Sequence, residues 1–146
     1  MLYLVDGSNL LGALRLDREA DDAKRELVRR LASYARAKSS SLTCVFDGAA
    51  PSGFAQHLGR VRIRFAAPRS ADDVLVEVAA AAGKRPLTFV TSDNSLAARV
   101  RRRGVEVRGS LEFGRGLAES GVGGEESAAG SDDWEEYFSD PKNRNV

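Results

Sequence analysis

An α/β fold with a mainly parallel sheet of about five strands is what this sequence predicts, and three observations predict it. Short apolar runs bounded by turn residues recur along the chain, stretches with helical apolar spacing separate them, and all but one of the runs read as buried on both faces. Strands alternating with helices give a parallel sheet whose right-handed crossovers place helices on both sides, a three-layer α/β/α sandwich.

In order, the strands fall at Leu2–Val5, Leu42–Phe46, Val61–Phe65, Leu87–Thr91 and Val105–Val107. A turn of helix starts at Ser8 or Asn9. From Glu19 to about Lys38, Ala23, Leu27, Leu31, Tyr34 and Ala35 recur three and four residues apart and share one helix face. Ser70 followed by Ala71, Asp72 and Asp73 reads as a helix N-terminus, Val74, Leu75, Val78 and Ala82 form its buried stripe, and Gly83 ends it. Asp93 to Arg103 is a further short helix stopped by Gly104. In the third strand Val61, Ile63 and Phe65 alternate with Arg60, Arg62 and Arg64, which gives it one wet, basic face and places it at the sheet edge.

The chain has 146 residues, enough for one hydrophobic core, so a single domain over residues 1–116 is expected, followed by an acidic, Gly/Ser-rich flexible tail over 117–146. Residues 1–116 hold 20 Lys and Arg against 13 Asp and Glu, a balance of +7, and residues 117–146 hold 2 against 8, a balance of −6. A basic body suits a polyanionic partner, and the acidic tail is expected to fold back over it and compete with that partner at low salt. Trp134, Tyr137 and Phe138 near the end of the tail share one side of a helical turn, either as incidental aromatics or as a motif docking on the protein's own basic surface or on another protein. No apolar run approaches the roughly 20 residues of a membrane span, no basic segment precedes the first apolar run, and the single cysteine, Cys44, allows no internal disulfide. A cytoplasmic location with no membrane contact is therefore expected, as a monomer or a dimer.

In a parallel sheet the carboxyl ends of all strands lie at one rim, where ligands bind. The first strand runs into Asp6, the second into Asp47 and the fourth, through Ser92, into Asp93, while the SADD helix start brings Asp72 and Asp73 to the same rim. Each aspartate has a plain explanation as a turn or cap residue. Together they repel one another unless protons or cations neutralise them, and a hard divalent cation that keeps waters, Mg²⁺ or Mn²⁺, suits such a set. Metal-activated water points to phosphodiester hydrolysis. Asp73 is placed to close the cap with Ser70, which leaves Asp72 for the metal. Asn9 either orients a water or phosphate or caps its own helix; Ser8, Thr91 and Ser92 offer hydroxyls to the same end.

The ordered motifs, an opening strand with DGSN, then FDG, SADD and VTSDN, resemble the NYN branch of the PIN-like metal-dependent nucleases, particularly the bacterial YacP-like group. The resemblance implies a PIN-like sheet and a Mg²⁺- or Mn²⁺-dependent ribonuclease, with Asp6, Asn9, Asp72 and Asp93 at its catalytic centre and Asp47 as a further acid beside the metal. No additional acid follows the last motif, where Asn94, Ser95 and Leu96 stand. Ser8, Ser92, Asn94, Arg60, Arg62, Arg64 and Arg69 are the candidate contacts to nucleic acid, and Arg99, Arg101, Arg102, Arg103 and Arg108 add positive charge. His57 is expected in a loop after Asp47 at the same rim. The resulting expectation is an endoribonuclease acting on mRNA, tRNA or rRNA; the rival is a non-catalytic RNA-binding or adaptor module on the same fold, and a third reading gives the tail a protein-interaction role.

Overall fold

In the computed structural model, which describes residues 1–120, the chain order is β1 (Leu2–Asp6), α1 (Gly7–Ala13), α2 (Asp21–Ala37), β2 (Ser41–Phe46), β3 (His57–Leu58), β4 (Val61–Phe65), α3 (Ala71–Ala81), β5 (Leu87–Val90), α4 (Asn94–Val100), β6 (Val105–Arg108) and α5 (Ser110–Ser120). The six strands form one sheet in the order β3-β4-β2-β1-β5-β6. All neighbours are parallel except β3, which runs antiparallel to β4. Residues 121–146 of the tail, including Trp134, Tyr137 and Phe138, lie outside the described residues.

Alternation along the strands splits the core into two layers. Tyr3, Val5, Cys44, Phe46, Val61 and Ile63 face the layer filled by Leu10 and Leu11 of α1, Leu27 and Leu31 of α2, and Phe113 and Leu117 of α5. Leu4, Val45 and Phe89 face the other, filled by Val74 and Leu75 of α3 and Leu96 and Val100 of α4. Both faces of β1 and β5 are thereby covered, which is why these strands read as continuous apolar runs. Cys44 is fully buried, and burial pushes its thiol pKa well above the ordinary range. Among the described residues no helix is long and apolar enough to cross a membrane.

The structure departs from the sequence expectation at four points. There are six strands, and β4 is second from the edge because the short β3 pairs outside it through His57↔Arg62 and Leu58↔Val61. Two residues carry too little periodicity to announce a strand. Helix α4 ends at Val100, with Arg101 already extended, because the chain must turn back at the amino edge of the sheet to enter β6. Helix α5 carries the fold past residue 116 to Ser120, with Leu117 only 1% exposed. Gly114 and Gly116 hide that helix from a propensity reading, and packing of Phe113 and Leu117 overrides it. At α3 the expected stop holds: Gly83 follows the last turn with φ 64°, the left-handed conformation that favours glycine.

Candidate active site

The chain leaves β1 toward β2 and β4 and later returns to β5 and β6 on the other side of β1, so the sheet reverses direction between β1 and β5. Ligands of such sheets bind in the crevice opened there at the carboxyl ends of the strands. Asp6 ends β1, and Thr91, Ser92 and Asp93 follow β5.

Asp6 is the N-cap of α1 and only 6% exposed; one carboxylate oxygen accepts from the Asn9 N–H at 3.4 Å and the other from the Thr91 hydroxyl at 3.1 Å. The same Thr91 oxygen accepts from the Asp93 N–H at 3.1 Å, and Asp93 caps α4 by accepting from the Leu96 N–H. One hydroxyl thus joins the ends of β1 and β5. Burial raises the Asp6 pKa to about 6; the charges of Asp72 and Asp47 push the same way, and the hydrogen bonds from Thr91 and Asn9 oppose them. Thr91→Val is expected to cost about 1–2 kcal/mol, because it strips a donor from a buried carboxylate, and to weaken divalent-ion affinity about 10–100-fold; chemical denaturation and ion titration measure the two effects.

Ser70 caps α3 by accepting from the Asp73 N–H at 3.1 Å. The Asp73 carboxylate turns outward to Arg99 of α4 at 3.1 Å, which holds its pKa below the usual carboxylate value. Asp72, half-buried, accepts no hydrogen bond from the described residues, and its pKa is raised by burial and by the charges of Asp93 and Asp47, with Arg99 working against them. Asp47 accepts from the Ala71 N–H at 3.1 Å, and its own N–H donates to the Ser8 hydroxyl at 3.0 Å. Asp6, Asp47, Asp72 and Asp93 therefore share one field.

Asn9 neither caps its helix, a task that Asp6 performs, nor stands free. Its side-chain oxygen accepts from the Ser92 N–H at 3.0 Å and from the Ser110 hydroxyl at 2.5 Å, while the Ser110 N–H donates to the Ser92 hydroxyl at 2.9 Å. These bonds lace α1, the β5–α4 loop and α5 together behind the rim. Asn94 begins α4 and is exposed beside Asp93.

The arginines divide between two edges. Asp6 pairs with Val45 and Val45 with Arg64, so Arg64 lies level with Asp6 two strands away, roughly 10 Å at ordinary strand spacing. Arg69, between β4 and α3, pairs with Glu77 at 2.7 Å. Arg60 precedes β4 and lies at the opposite, amino edge, with Arg62 in the amino half of that strand. His57 also lies there, paired with Arg62, and not at the carboxyl rim, because β3 folds back antiparallel along β4.

Four carboxylates with hard oxygen donors match the chemistry of Mg²⁺ or Mn²⁺, and Asp6 and Asp72 feel the charge of their acidic neighbours in the way a cation relieves. Among the described residues no three Asp, Glu, His or Cys side chains already stand gathered around a single point. The donors suit an ion that keeps waters and draws them closer. Ser110 escaped the sequence reading, since only tertiary structure brings α5 back to Asn9; its burial at 0% exposure is not foreshadowed by any local signal. Arg99 was visible only as one of several arginines; it lies in the second turn of α4 and reaches across to Asp73 of α3.

The sequence model of the YacP-like NYN domain matches residues 3–141 and so reaches beyond the described residues. The crystal structure of Rae1 (YacP) from Bacillus subtilis superposes with a TM-score of 0.71 at 23% identity, covering 88% of this chain and 80% of that one. A mutant of the same protein gives a TM-score of 0.67 at 23% identity, covering 82% and 76%. Similarity at this level establishes a shared fold. No curated protein matches the chain.

Proposed function

Because the chain belongs to the YacP-like NYN domain family, within the PIN-like nucleases, we propose that it is a Mg²⁺- or Mn²⁺-dependent endoribonuclease whose centre is the rim between β1 and β5. The observation that carries this reading is the single Thr91 hydroxyl holding both Asp6 and the Asp93 backbone at the reversal point of the sheet. Asp6, Asp72 and Asp93 would hold the ion, with Asp47 at its margin. The bound ion would polarise the phosphodiester and ease deprotonation of a water.

The protein groups divide the remaining work. Thr91 fixes the orientation of Asp6 and the start of α4. Asn9, its oxygen engaged by Ser92 and Ser110, presents its amide N–H groups to a phosphate or a water. Asp73 keeps Arg99 close to Asp72 and limits the repulsion there. Arg64 makes no ion pair with the described residues and is the cation best placed to take an RNA phosphate; Ser8, Ser92 and Asn94 line the approach. Cys44 buried as a thiol accords with a reducing, cytoplasmic setting.

The test is cleavage of single-stranded and structured RNA in Mg²⁺, in Mn²⁺ and in chelator. Asp72→Asn is expected to lower kcat/KM by about 10²-fold or more, whereas Asp73→Asn, which loses an exposed ion pair, changes it less than about tenfold. Undiminished cleavage in chelator, or equal losses in the two variants, would overturn this assignment. RNA binding without cleavage in any metal would favour the adaptor reading.

A further inference from the structure

At the amino edge of the sheet, opposite the aspartate rim, two adjoining hollows share Leu2, Ser41 and Arg85. The smaller, about 460 Å³, has an apolar lining completed by Met1 and Pro86. The larger, about 490 Å³, is more polar and carries Arg60, Arg62 and His57 around Thr43 and Gly59. It opens on the part of the sheet where Arg62 and Arg64 stand exposed on β4. Arg60, Arg62 and Arg85 make no ion pair with the described residues, in contrast to Arg69, Arg99 and Arg108. The backbone oxygen of Arg85 accepts from Arg102, which adds further positive charge beside the groove. An apolar slot continuous with uncompensated arginines suits an acidic peptide that carries aromatic side chains.

This chain contains such a peptide. Helix α5 starts at the carboxyl rim, where Ser110 bonds Asn9, and runs back along the sheet with Phe113 against Tyr3 and Tyr34, so the helix ends on the side of the amino edge. Residues 121–146 hold seven Asp and Glu against two Lys and Arg, and include the run DDWEEYF at 132–138. The intervening stretch 121–131, fully extended, reaches up to about 36 Å, enough to pass around one edge of the sheet. The family match continues through residue 141 and so includes this run.

We propose that residues 132–138 dock in cis in the amino-edge groove, their carboxylates on Arg60, Arg62 and Arg85 and their aromatic rings in the slot formed by Met1, Leu2 and Pro86. The acidic segment is thereby held away from the aspartate rim instead of competing there for RNA. Tethering makes even a weak contact sufficient: with an effective concentration in the millimolar range, a peptide binding at about 0.1 mM in trans is docked roughly ten times as often as it is free.

Trp134 is the only tryptophan, so its fluorescence reports the contact in the intact protein. The expected result is acrylamide quenching at least about twofold weaker than in a synthetic peptide of residues 121–146, independent of protein concentration, and returning to the peptide value in Arg85→Glu or in about 0.5 M salt. Pro86→Ser, which leaves the arginines in place, is expected to shift the quenching part of the way. Peptide-like quenching in the wild type overturns the proposal. Protection that grows with protein concentration assigns the groove to a second copy and overturns docking in cis. Arg85→Glu that leaves quenching unchanged but weakens binding of an RNA oligomer identifies the groove as a nucleic-acid surface and overturns it as well.

Discussion

Asp6→Asn is expected to abolish metal-dependent RNA cleavage, by about 10³-fold or more, and at the same time to stabilise the ion-free protein. The second effect follows from the raised pKa of Asp6, about 6 against an ordinary 3.8. Between those values the native state holds a proton that the unfolded chain has released, so unfolding becomes easier as pH rises through this window. The stabilisation belonging to the protonated carboxyl is fully present below about pH 3.8 and is lost as pH passes 6. At pH 7.5 the buried carboxylate therefore costs up to about 3 kcal/mol, a cost that an amide does not incur. The melting temperatures of the two proteins in chelator should be close near pH 4 and separate to roughly 10 °C above pH 7. A gap independent of pH would mean that Asp6 is not held in a charge-averse site.

Gly7→Val is expected to cost about 3 kcal/mol or more, read as a lower urea midpoint with unchanged slope. A Cβ at Gly7 would stand 2.8 Å from Cys44 Sγ and from two ring atoms of Phe46, both side chains fully buried in the central strand β2. Neither is the loose end of a flexible chain, so α1 itself must lift from the sheet. Lifting α1 moves Asp6, its N-cap, and activity should fall together with stability. By contrast, Gly83→Ala, in open space at positive φ, should cost only about 1 kcal/mol and leave cleavage intact.

The glycine in the opening motif thus serves close packing, and the aspartate before it serves both a cap and a field of charges. That double use explains how much of the site was legible. The strands were readable because β1, β2 and β5 are buried on both faces and leave uninterrupted apolar runs, each ending at a polar residue on the rim. The cap at Ser70 was readable from the count of positions after it, since the Ser70 hydroxyl engages the Asp73 N–H, whereas the pull of Arg99 on the Asp73 carboxylate comes from a separate helix and left no local signal. Asn9 was not readable, because its partners Ser92 and Ser110 come from the β5–α4 loop and α5, far along the chain. His57 lies at the amino edge instead of the expected rim for a related reason: the loop after Asp47 returns along β4 as β3, and two residues of strand leave no pattern. Helix α5 was masked by its glycines, and only the contacts of Phe113 and Leu117 with α1 and α2 explain it.

The central claim is that Asp6, Asp72 and Asp93 together hold a catalytic divalent ion. Calorimetric titration of Mn²⁺ into the wild type and Asp6→Asn, followed by thermal melts of the same samples, tests it most directly. Saturable binding to the wild type is expected, with stabilisation near 2.7 kcal/mol at an ion concentration about 100 times Kd, and loss of both in Asp6→Asn. Equal Mn²⁺ binding and equal stabilisation in the two proteins would contradict it.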